Sequence, residues 1–252
     1  MSDHKHPKLP DAIELIGAPG SGKTTLARKL PRKLKTPALT AWAPKAKANR
    51  IANSIHSKSA FAAFSYKVLC SIPTLRYPLA DNLFPATAWS ALSERQEDLH
   101  PILEHAHREL SNLSGNTSCI TRRVHLLYRS CLDIALIQSS SPRHLPRYVL
   151  FDESITQAIV GLALHHSRPE HFLDQYLTIR LASPSLPLKI IYCQANAETL
   201  KQRIAYRGQP QHDHLSQIPS FQNLSRHIAQ KTNHLAYCED TTLDEFYSFF
   251  SS

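Results

Sequence analysis

Eight consecutive residues near the N-terminus have the types and the spacing of a phosphate-binding loop. They read Gly17-Ala18-Pro19-Gly20-Ser21-Gly22-Lys23-Thr24, and every position fits the pattern G-x-x-x-x-G-K-[ST]. In such a loop, successive backbone N–H groups bind phosphate oxygens, and the N-terminus of the next helix adds partial positive charge. The Lys23 ammonium would reach the β- and γ-phosphates, and the Thr24 hydroxyl would bind Mg²⁺. This stretch, together with Thr25, predicts a nucleoside triphosphate site.

A pair of carboxylates follows an apolar run later in the chain. Tyr148-Val149-Leu150-Phe151 predicts a buried parallel strand, and Asp152 and Glu153 come directly after it. Ligands of open α/β sheets bind at this carboxyl edge. Asp152 would bind the metal directly or through water, and either Glu153 or Asp152 would accept a proton or orient the attacking group. The alternative is an ordinary strand end with an exposed acidic turn.

Two arginines four residues apart form the third group. The run 188–193 predicts a strand, and a helix is expected from Asn196 to Gly208, which places Arg203 and Arg207 on one helix face. Two guanidinium groups held together can bind a transferring phosphoryl group and neutralise the charge that develops on its oxygens. We expect a lid over about residues 203–218. A solvated helix face is the alternative.

The remaining pattern supplies the elements that must position these groups. Residues 13–16 predict a strand that enters the loop, 24–30 a helix that leaves it, and 37–42 a second strand that ends before Pro44. Amphipathic runs predict helices over 59–70, 86–113 and about 120–138, with the second interrupted at His100-Pro101. Residues 45–140 are therefore interpreted as a helical insertion between the second and third strands, within one domain that spans residues 1–252.

Composition limits the class of protein. The chain has 252 residues and five cysteines, which are scattered and form no C-x-x-C pair. That usage suits reduced thiols, and neither an apolar run of about 18 residues nor the core of a signal peptide is present. We expect a cytoplasmic protein with no membrane span. The guanine-reading motif N-K-x-D is also missing from the sequence, which argues against a GTPase.

The net charge of +9 is concentrated near the N-terminus. No Asp or Glu lies between Leu15 and Ala80, whereas that stretch holds 12 cations: Lys23, Arg28, Lys29, Arg32, Lys33, Lys35, Lys45, Lys47, Arg50, Lys58, Lys67 and Arg76. An anionic partner would explain this asymmetry, whether an acceptor molecule, a nucleic acid or a membrane surface. A solvated basic face that aids solubility is the alternative.

The loop at Gly17 to Thr24, the acidic strand end and the arginine pair together resemble the P-loop kinases of the nucleoside and nucleotide kinase superfamily. That superfamily includes thymidylate, adenylate and deoxynucleoside kinases and small-molecule kinases. The resemblance implies a three-layer αβα sandwich with a five-stranded parallel sheet, ATP and Mg²⁺ as cofactors, and a mobile lid. The catalytic residues it implies are Lys23, Asp152, Glu153, Arg203 and Arg207. Deoxynucleoside kinases usually place a carboxylate after the second strand, but here that position reads Ala41-Trp42-Ala43-Pro44.

These patterns predict a phosphotransferase that acts on an unidentified small acceptor, for example a nucleoside, a nucleotide or a sugar. The acceptor would lie between the end of the third strand, where Gln157 follows, and the helical insertion, where Arg122 and Arg123 offer positive charge. The alternative is a P-loop ATPase or nucleotide-binding module with a protein or nucleic-acid partner. The two differ in hydrolysis of ATP without an acceptor, which should be substantial only for the ATPase.

Overall fold

The computed structural model of the protein describes residues 11–34, 39–41, 64, 96–138, 147–152, 154–183, 188–206, 216–238 and 241–251. Its centre is a five-stranded sheet in the order β2-β3-β1-β4-β5, and every neighbouring pair is parallel. The strands are β1 (Asp11–Ile16), β2 (Leu39–Ala41), β3 (Tyr148–Phe151), β4 (Leu188–Cys193) and β5 (His234–Tyr237). The predicted α/β fold with a five-stranded parallel sheet is confirmed.

Helices cover both faces of this sheet. They are α1 (Lys23–Leu34), α2 (Gln96–Arg108), which continues as a 3₁₀ turn over Glu109–Asn112, α3 (Thr117–Gln138), α4 (Ile155–Ala163), α5 (Pro169–Leu181), α6 (Ala197–Tyr206), α7 (Ile218–Gln230) and α8 (Leu243–Ser251). No helix among the described residues is both long enough and apolar enough to cross a bilayer.

Alternation along the strands separates two cores. Side chains of Ile13 and Leu15 pack with α1 and α8 on one face, which we call the α1/α8 face. Their neighbours Ala12 and Ile16 belong to the second core, which α2 to α7 cover, and we call this the α4/α5 face after the two helices nearest the site. Successive residues of a strand point to opposite faces, so both faces of the sheet are buried, as a parallel sheet requires.

The connections from two neighbouring strands leave in opposite directions. The chain passes from β1 into α1 on the α1/α8 face, and from β3 into α4 on the opposite face. β1 and β3 are hydrogen-bonded neighbours, with Glu14 opposite Phe151 at the end of their pairing. A crevice therefore opens between their carboxyl ends, where open α/β sheets bind their ligands. The phosphate loop forms one side of it and Asp152 the other.

Most predicted elements are present. The helix predicted to be kinked or divided at His100-Pro101 is not divided there, since α2 runs through both residues. A proline there removes the bond from its own nitrogen to the carbonyl of residue 97, and its ring crowds that carbonyl. Burial of Leu99 and Ile102 on either side keeps the helix against the core. The predicted helix over 59–70 and most of the predicted lid lie outside the described residues.

The sequence pattern did not predict α5, α7, β5 or α8. β5 was missed because its side chains alternate between exposed and half-buried, which leaves little apolar signal. α8 carries a readable signal, since Thr242 and Glu245 form a reciprocal cap in which each binds the other's backbone N–H. Its aromatic residues Phe246, Phe249 and Phe250 complete the core on the α1/α8 face.

Candidate functional site

The phosphate loop has the backbone conformation that its glycines permit. Gly17, Gly20 and Gly22 have φ values of 142°, 84° and 93°, a region that other residues rarely adopt. A Cβ atom on Gly17 would also collide with the carbonyl oxygen of Cys193 at the end of β4. The first glycine of the motif is thus required both by its dihedral angle and by its contact with the neighbouring strand.

Lys23 folds back over the loop. Its Nζ donates to the carbonyl oxygen of Gly17 at 2.6 Å and to that of Ala18 at 3.1 Å. The ammonium therefore lies on the side of the loop where the pattern predicts the phosphates. It would exchange these carbonyl partners for phosphate oxygens when a nucleotide binds, as expected for a lysine with three rotatable donors.

The Ser21 hydroxyl within the loop is a buried hydrogen-bond donor. Ser21 is only 3% exposed, and its hydroxyl finds no hydrogen-bond partner among the residues that the structure describes. Leaving a buried hydroxyl unpaired costs roughly 1–3 kcal/mol. A phosphate oxygen in the cradle would satisfy this donor.

Gln157 binds the first residue of the loop through both ends of its amide. Its Oε1 accepts from the Gly17 N–H at 3.2 Å, and its Nε2 donates to the Gly17 carbonyl oxygen at 3.3 Å. The residue is 95% buried in the first turn of α4. That turn begins at Ser154, whose hydroxyl caps the helix by accepting from the Gln157 N–H at 3.3 Å. We predicted Gln157 as a substrate contact, and that role stays a prediction.

A buried ion pair lies three residues before the loop, and sequence reasoning missed it. Glu14 of β1 and Arg180 of α5 have fully buried side chains, and the Arg180 Nη2 donates to Glu14 Oε1 at 3.2 Å. The second oxygen of Glu14 accepts from the backbone N–H of Thr156 at 2.9 Å. Tyr176 completes the group, with its hydroxyl 2.8 Å from that of Thr156.

This group was detectable in principle. A carboxylate inside the apolar run Ile13-Glu14-Leu15-Ile16 must be paired if the strand is buried, because an unpaired buried charge is very costly. The sequence does not indicate which cation pairs with it, since Arg180 lies 166 residues away. Burial and the negative charge of Glu14 raise the pKa of the Tyr176 phenol, so Tyr176 stays protonated.

The predicted metal ligands lie on the two sides of the crevice. Thr24 is exposed in the first turn of α1, and Asp152 is half-buried directly after β3. A hydroxyl and a carboxylate are hard oxygen ligands of the kind that Mg²⁺ prefers, so these residues fit the cation. Glu153 lies outside the described residues, and its predicted role stays a prediction.

Arg203 contacts the loop from α6. Its Nη1 donates to the carbonyl oxygen of Gly20 at 3.3 Å, and its stem packs close to the same glycine. The helix begins just after β4, the strand next to β1, which brings the guanidinium to the loop from 183 residues away. Arg207 lies outside the described residues, so the predicted pair of arginines is represented here by one member.

The predicted acceptor side shows one arginine packed on α4. Arg123 of α3 is half-buried and covers Gly161, where a Cβ atom would lie 2.7 Å from the Arg123 Cδ. Gly161 is one helical turn beyond Gln157, so the Arg123 side chain packs against the same short helix that carries Gln157. Arg122 is exposed. Contact of either arginine with an acceptor stays a prediction.

Cys193 borders the loop but is not reactive. Burial raises the pKa of its thiol to about 12, and the nearby Lys23 ammonium offsets this only in part. The Cys193 thiol therefore stays protonated near neutral pH. The carbonyl oxygen of the same residue lies beside Gly17 of the loop.

No known protein family and no curated protein matches the sequence. Among solved structures the chain is similar to deoxyadenosine kinase from M. mycoides. The form with the products dCMP and a flexible dCDP bound shares 10% identity over 95% of this chain and 97% of that chain, with a TM-score of 0.44. The dCTP-bound form shares 9% identity with the same coverage and a TM-score of 0.44. The dATP-bound form shares 11% identity over 96% of this chain and 100% of that chain, with a TM-score of 0.40. Likeness at this level carries no functional information, so function has to be inferred from the loop, the strand ends and the contacts described above.

Proposed function

We propose that this protein is an ATP- and Mg²⁺-dependent phosphotransferase that acts on a small acceptor. The observation that carries the proposal is the loop itself: three glycines with positive φ, a lysine folded over the cradle and a buried hydroxyl with no hydrogen-bond partner in the described part of the chain, all at the crevice between β1 and β3. Backbone amides, a helix N-terminus and Lys23 would hold the polyphosphate there.

Each residue of the site would make a different contribution. Bound Mg²⁺, held by Thr24 and Asp152, would neutralise charge on the transferred phosphoryl group. Lys23 would follow the β- and γ-phosphates. Arg203 lies against the loop and would bind oxygens whose charge rises in the transition state, with Arg207 as its proposed partner. Asp152 or Glu153 would orient the acceptor group.

The acceptor would occupy the open side of the crevice, away from the α1 helix. Gln157 of α4 and Arg123 of α3, whose side chain packs against α4, support its placement there, and Arg122 would add positive charge from α3. A nucleoside, a nucleotide or a sugar would fit this chemistry. Nothing in the described contacts favours one of the three, so the acceptor has to be found by experiment.

The test is transfer of the γ-phosphoryl group. Purified protein is incubated with γ-labelled ATP, Mg²⁺ and separate pools of nucleosides, nucleotides and sugars, and labelled products are separated and counted. We expect one pool to yield a labelled acceptor, with little hydrolysis when no acceptor is present. Fast hydrolysis without any acceptor would instead support the P-loop ATPase, and failure to bind Mg–ATP would refute both.

The two carboxylates can be separated in the same assay. Asp152→Asn should weaken the binding of nucleotide in the presence of Mg²⁺ but not in its absence. Glu153→Gln should lower turnover and leave binding largely unchanged. If Glu153→Gln has no effect, the group that orients the acceptor lies elsewhere.

A further inference from the structure

We propose that Gln157 is a positioning residue that holds the phosphate loop, and that the buried Glu14–Arg180 pair fixes the helix turn from which it acts. The inference rests on the function proposed above and adds a mechanism to that same site. It assigns a role in nucleotide binding to three residues, of which only Gln157 was considered before, and then as a substrate contact.

The Gln157 side chain has an unusual hydrogen-bond partner. Ser154 and Gln157 have the spacing of a capping box, in which the glutamine amide normally turns back to the N–H of the capping residue. Here the Ser154 half of the box is formed, because its hydroxyl accepts from the Gln157 N–H. The glutamine amide instead reaches Gly17, 140 residues away in sequence. The Gln157 amide therefore stabilises the phosphate loop rather than the N-terminus of its own helix.

The carbonyl oxygen of Gly17 accepts hydrogen bonds from two side chains. It accepts from Lys23 at 2.6 Å and from Gln157 at 3.3 Å. Lys23 has to leave this oxygen in order to bind phosphate, and a buried carbonyl left without a donor is costly. Gln157 remains as a donor when Lys23 moves. It therefore lowers the cost of releasing Lys23 and keeps the start of the loop in place during that change.

The helix that carries Gln157 is held firmly in place. All nine residues of α4 are buried, and its first turn is tied once to β1 and once to the first residue of the phosphate loop. The Thr156 N–H donates to Glu14, and the Gln157 amide binds Gly17, so consecutive residues of one turn bind two points on the segment that enters the loop. Arg180 holds Glu14 from α5, with both side chains fully buried. Misplacement of a binding group by about 1 Å can cost roughly 10²-fold in rate, so such bracing has functional value.

The experiment compares Gln157→Met with Gln222→Met. Methionine keeps the length of the side chain and removes both ends of the amide. Gln222 of α7 is the matched control, because its Nε2 donates at 2.7 Å to the carbonyl oxygen of Ala195, two residues after β4, and not to the phosphate loop. Two readouts are measured on each folded variant: amide hydrogen exchange over residues 17–22 without nucleotide, and the Kd of Mg–ATP by calorimetry.

We expect Gln157→Met to speed exchange of the loop amides and to raise the Kd roughly tenfold, the value for one or two lost hydrogen bonds. Gln222→Met should change neither. A variant with wild-type exchange and wild-type Kd would overturn the inference. If loop exchange rises but wild-type protein does not bind Mg–ATP, the bracing is real and the proposed function is wrong, so the two failures are distinguishable.

Gln157→Glu supplies a second variant of nearly identical shape. Its carboxylate can still accept from the Gly17 N–H but cannot donate to the carbonyl, and it adds negative charge beside the phosphates. We expect its Kd for Mg–ATP to exceed that of Gln157→Met at low and at high salt alike, because Gln157 is buried and salt screens buried charges much less than exposed ones. A role confined to overall stability predicts equal Kd values for the two variants. Equal Kd values for wild type and Gln157→Glu at low salt would contradict the proposal.

Discussion

The α1/α8 face of the sheet packs apolar side chains against apolar side chains, whereas the α4/α5 face buries an ion pair beside the phosphate loop. On the first face, Ile13 and Leu15 meet Leu30 and the aromatic residues of α8. On the second, the intervening Glu14 binds Arg180 and the backbone of Thr156. Both faces belong to the same six-residue strand, so the difference lies in what each face has to hold.

Energetics indicate why the faces differ. Replacing a buried ion pair with apolar residues of similar volume is often neutral or stabilising, so Glu14 and Arg180 are a poor way to gain stability. Removing one partner, by contrast, leaves an uncompensated buried charge. Such a pair selects one arrangement of the elements around it. We infer that both faces supply stability through their apolar cores and that the α4/α5 face in addition fixes the position of the loop.

The largest effect is expected where the two faces meet, at the loop. Lys23→Ala should lower turnover by roughly 10³-fold or more, because the charge that follows the transferred phosphoryl group is removed. Stability to urea should barely change, since Lys23 contacts backbone oxygens at the edge of the sheet and packs in neither core. Lys29→Ala, an exposed cation on the same helix, is the control and should be silent. Wild-type turnover in Lys23→Ala would refute the assignment of the loop.

A smaller loss is expected from α6. Arg203→Ala should lower kcat by roughly 10² to 10³-fold with little change in nucleotide affinity, because the guanidinium acts on charge that develops during transfer. Arg203→Lys should rescue poorly, since an ammonium lacks the planar fork. Lys201→Ala tests an exposed cation on the same helix and should leave kcat unchanged. If Arg203→Ala is equally silent in single-turnover transfer, the main reason for a kinase over an ATPase is lost.

The comparison of the faces is tested most directly by two substitutions of similar cost. Glu14→Ala leaves Arg180 uncompensated and should lower the free energy of unfolding by about 3–5 kcal/mol. Phe246→Ala, on the opposite face, should cost about 3–5 kcal/mol by opening a cavity. Only Glu14→Ala should also raise the Kd of Mg–ATP, by roughly tenfold, as expected for the loss of one or two hydrogen bonds.

Should Glu14→Ala fail to fold, Glu14→Gln keeps an acceptor for Thr156 and gives a milder version of the same test. Equal effects of Glu14 and Phe246 variants on nucleotide affinity, measured on folded protein, would show that the two faces do not differ in function.

The smallest effect concerns pH. Burial lowers the pKa of His105 below 6.5, and the ring donates to the Phe172 carbonyl oxygen while stacking on Phe172 at 4.7 Å. A depressed pKa means that the folded protein binds fewer protons than the unfolded chain. Stability should therefore fall as the pH drops through about 6.5, with a slope of at most about 1.4 kcal/mol per unit.

His105→Gln keeps an N–H donor but does not titrate, so its unfolding free energy should depend less on pH between about 7.5 and 5.5. His166 stacks on the same phenyl ring at 5.1 Å, and its Nδ1 accepts from the Arg168 N–H, which leaves Nε2 as the donor to Glu109. Urea unfolding at three pH values checks the effect of His105→Gln, and identical slopes for the variant and the wild type would exclude His105 as the origin.

The sequence predicted the strands of this sheet best where they are apolar on both faces. β3 and β4 begin and end where their apolar runs predicted, because parallel strands buried on both faces give such runs. The half-exposed β5 was missed for the opposite reason. The phosphate loop was readable because its chemistry needs fixed residue types at fixed spacing. The contacts that hold this loop in place were not predictable from the sequence, because they join distant residues. Gln157 contacts Gly17 across 140 residues, and Arg180 contacts Glu14 across 166 residues.

The packing of α8 has a consequence for the order in which the molecule can assemble. The Tyr148 hydroxyl donates to the Phe250 carbonyl oxygen, and that of Tyr247 donates to the Leu34 carbonyl oxygen at 3.2 Å, across 213 residues. The helix that follows the phosphate loop is therefore held by a segment 213 residues later in the sequence. Until α8 docks, one side of the sheet presents apolar surface to solvent. Nucleotide-binding competence should consequently arise only after this long-range contact forms, and the chain is exposed to aggregation until then.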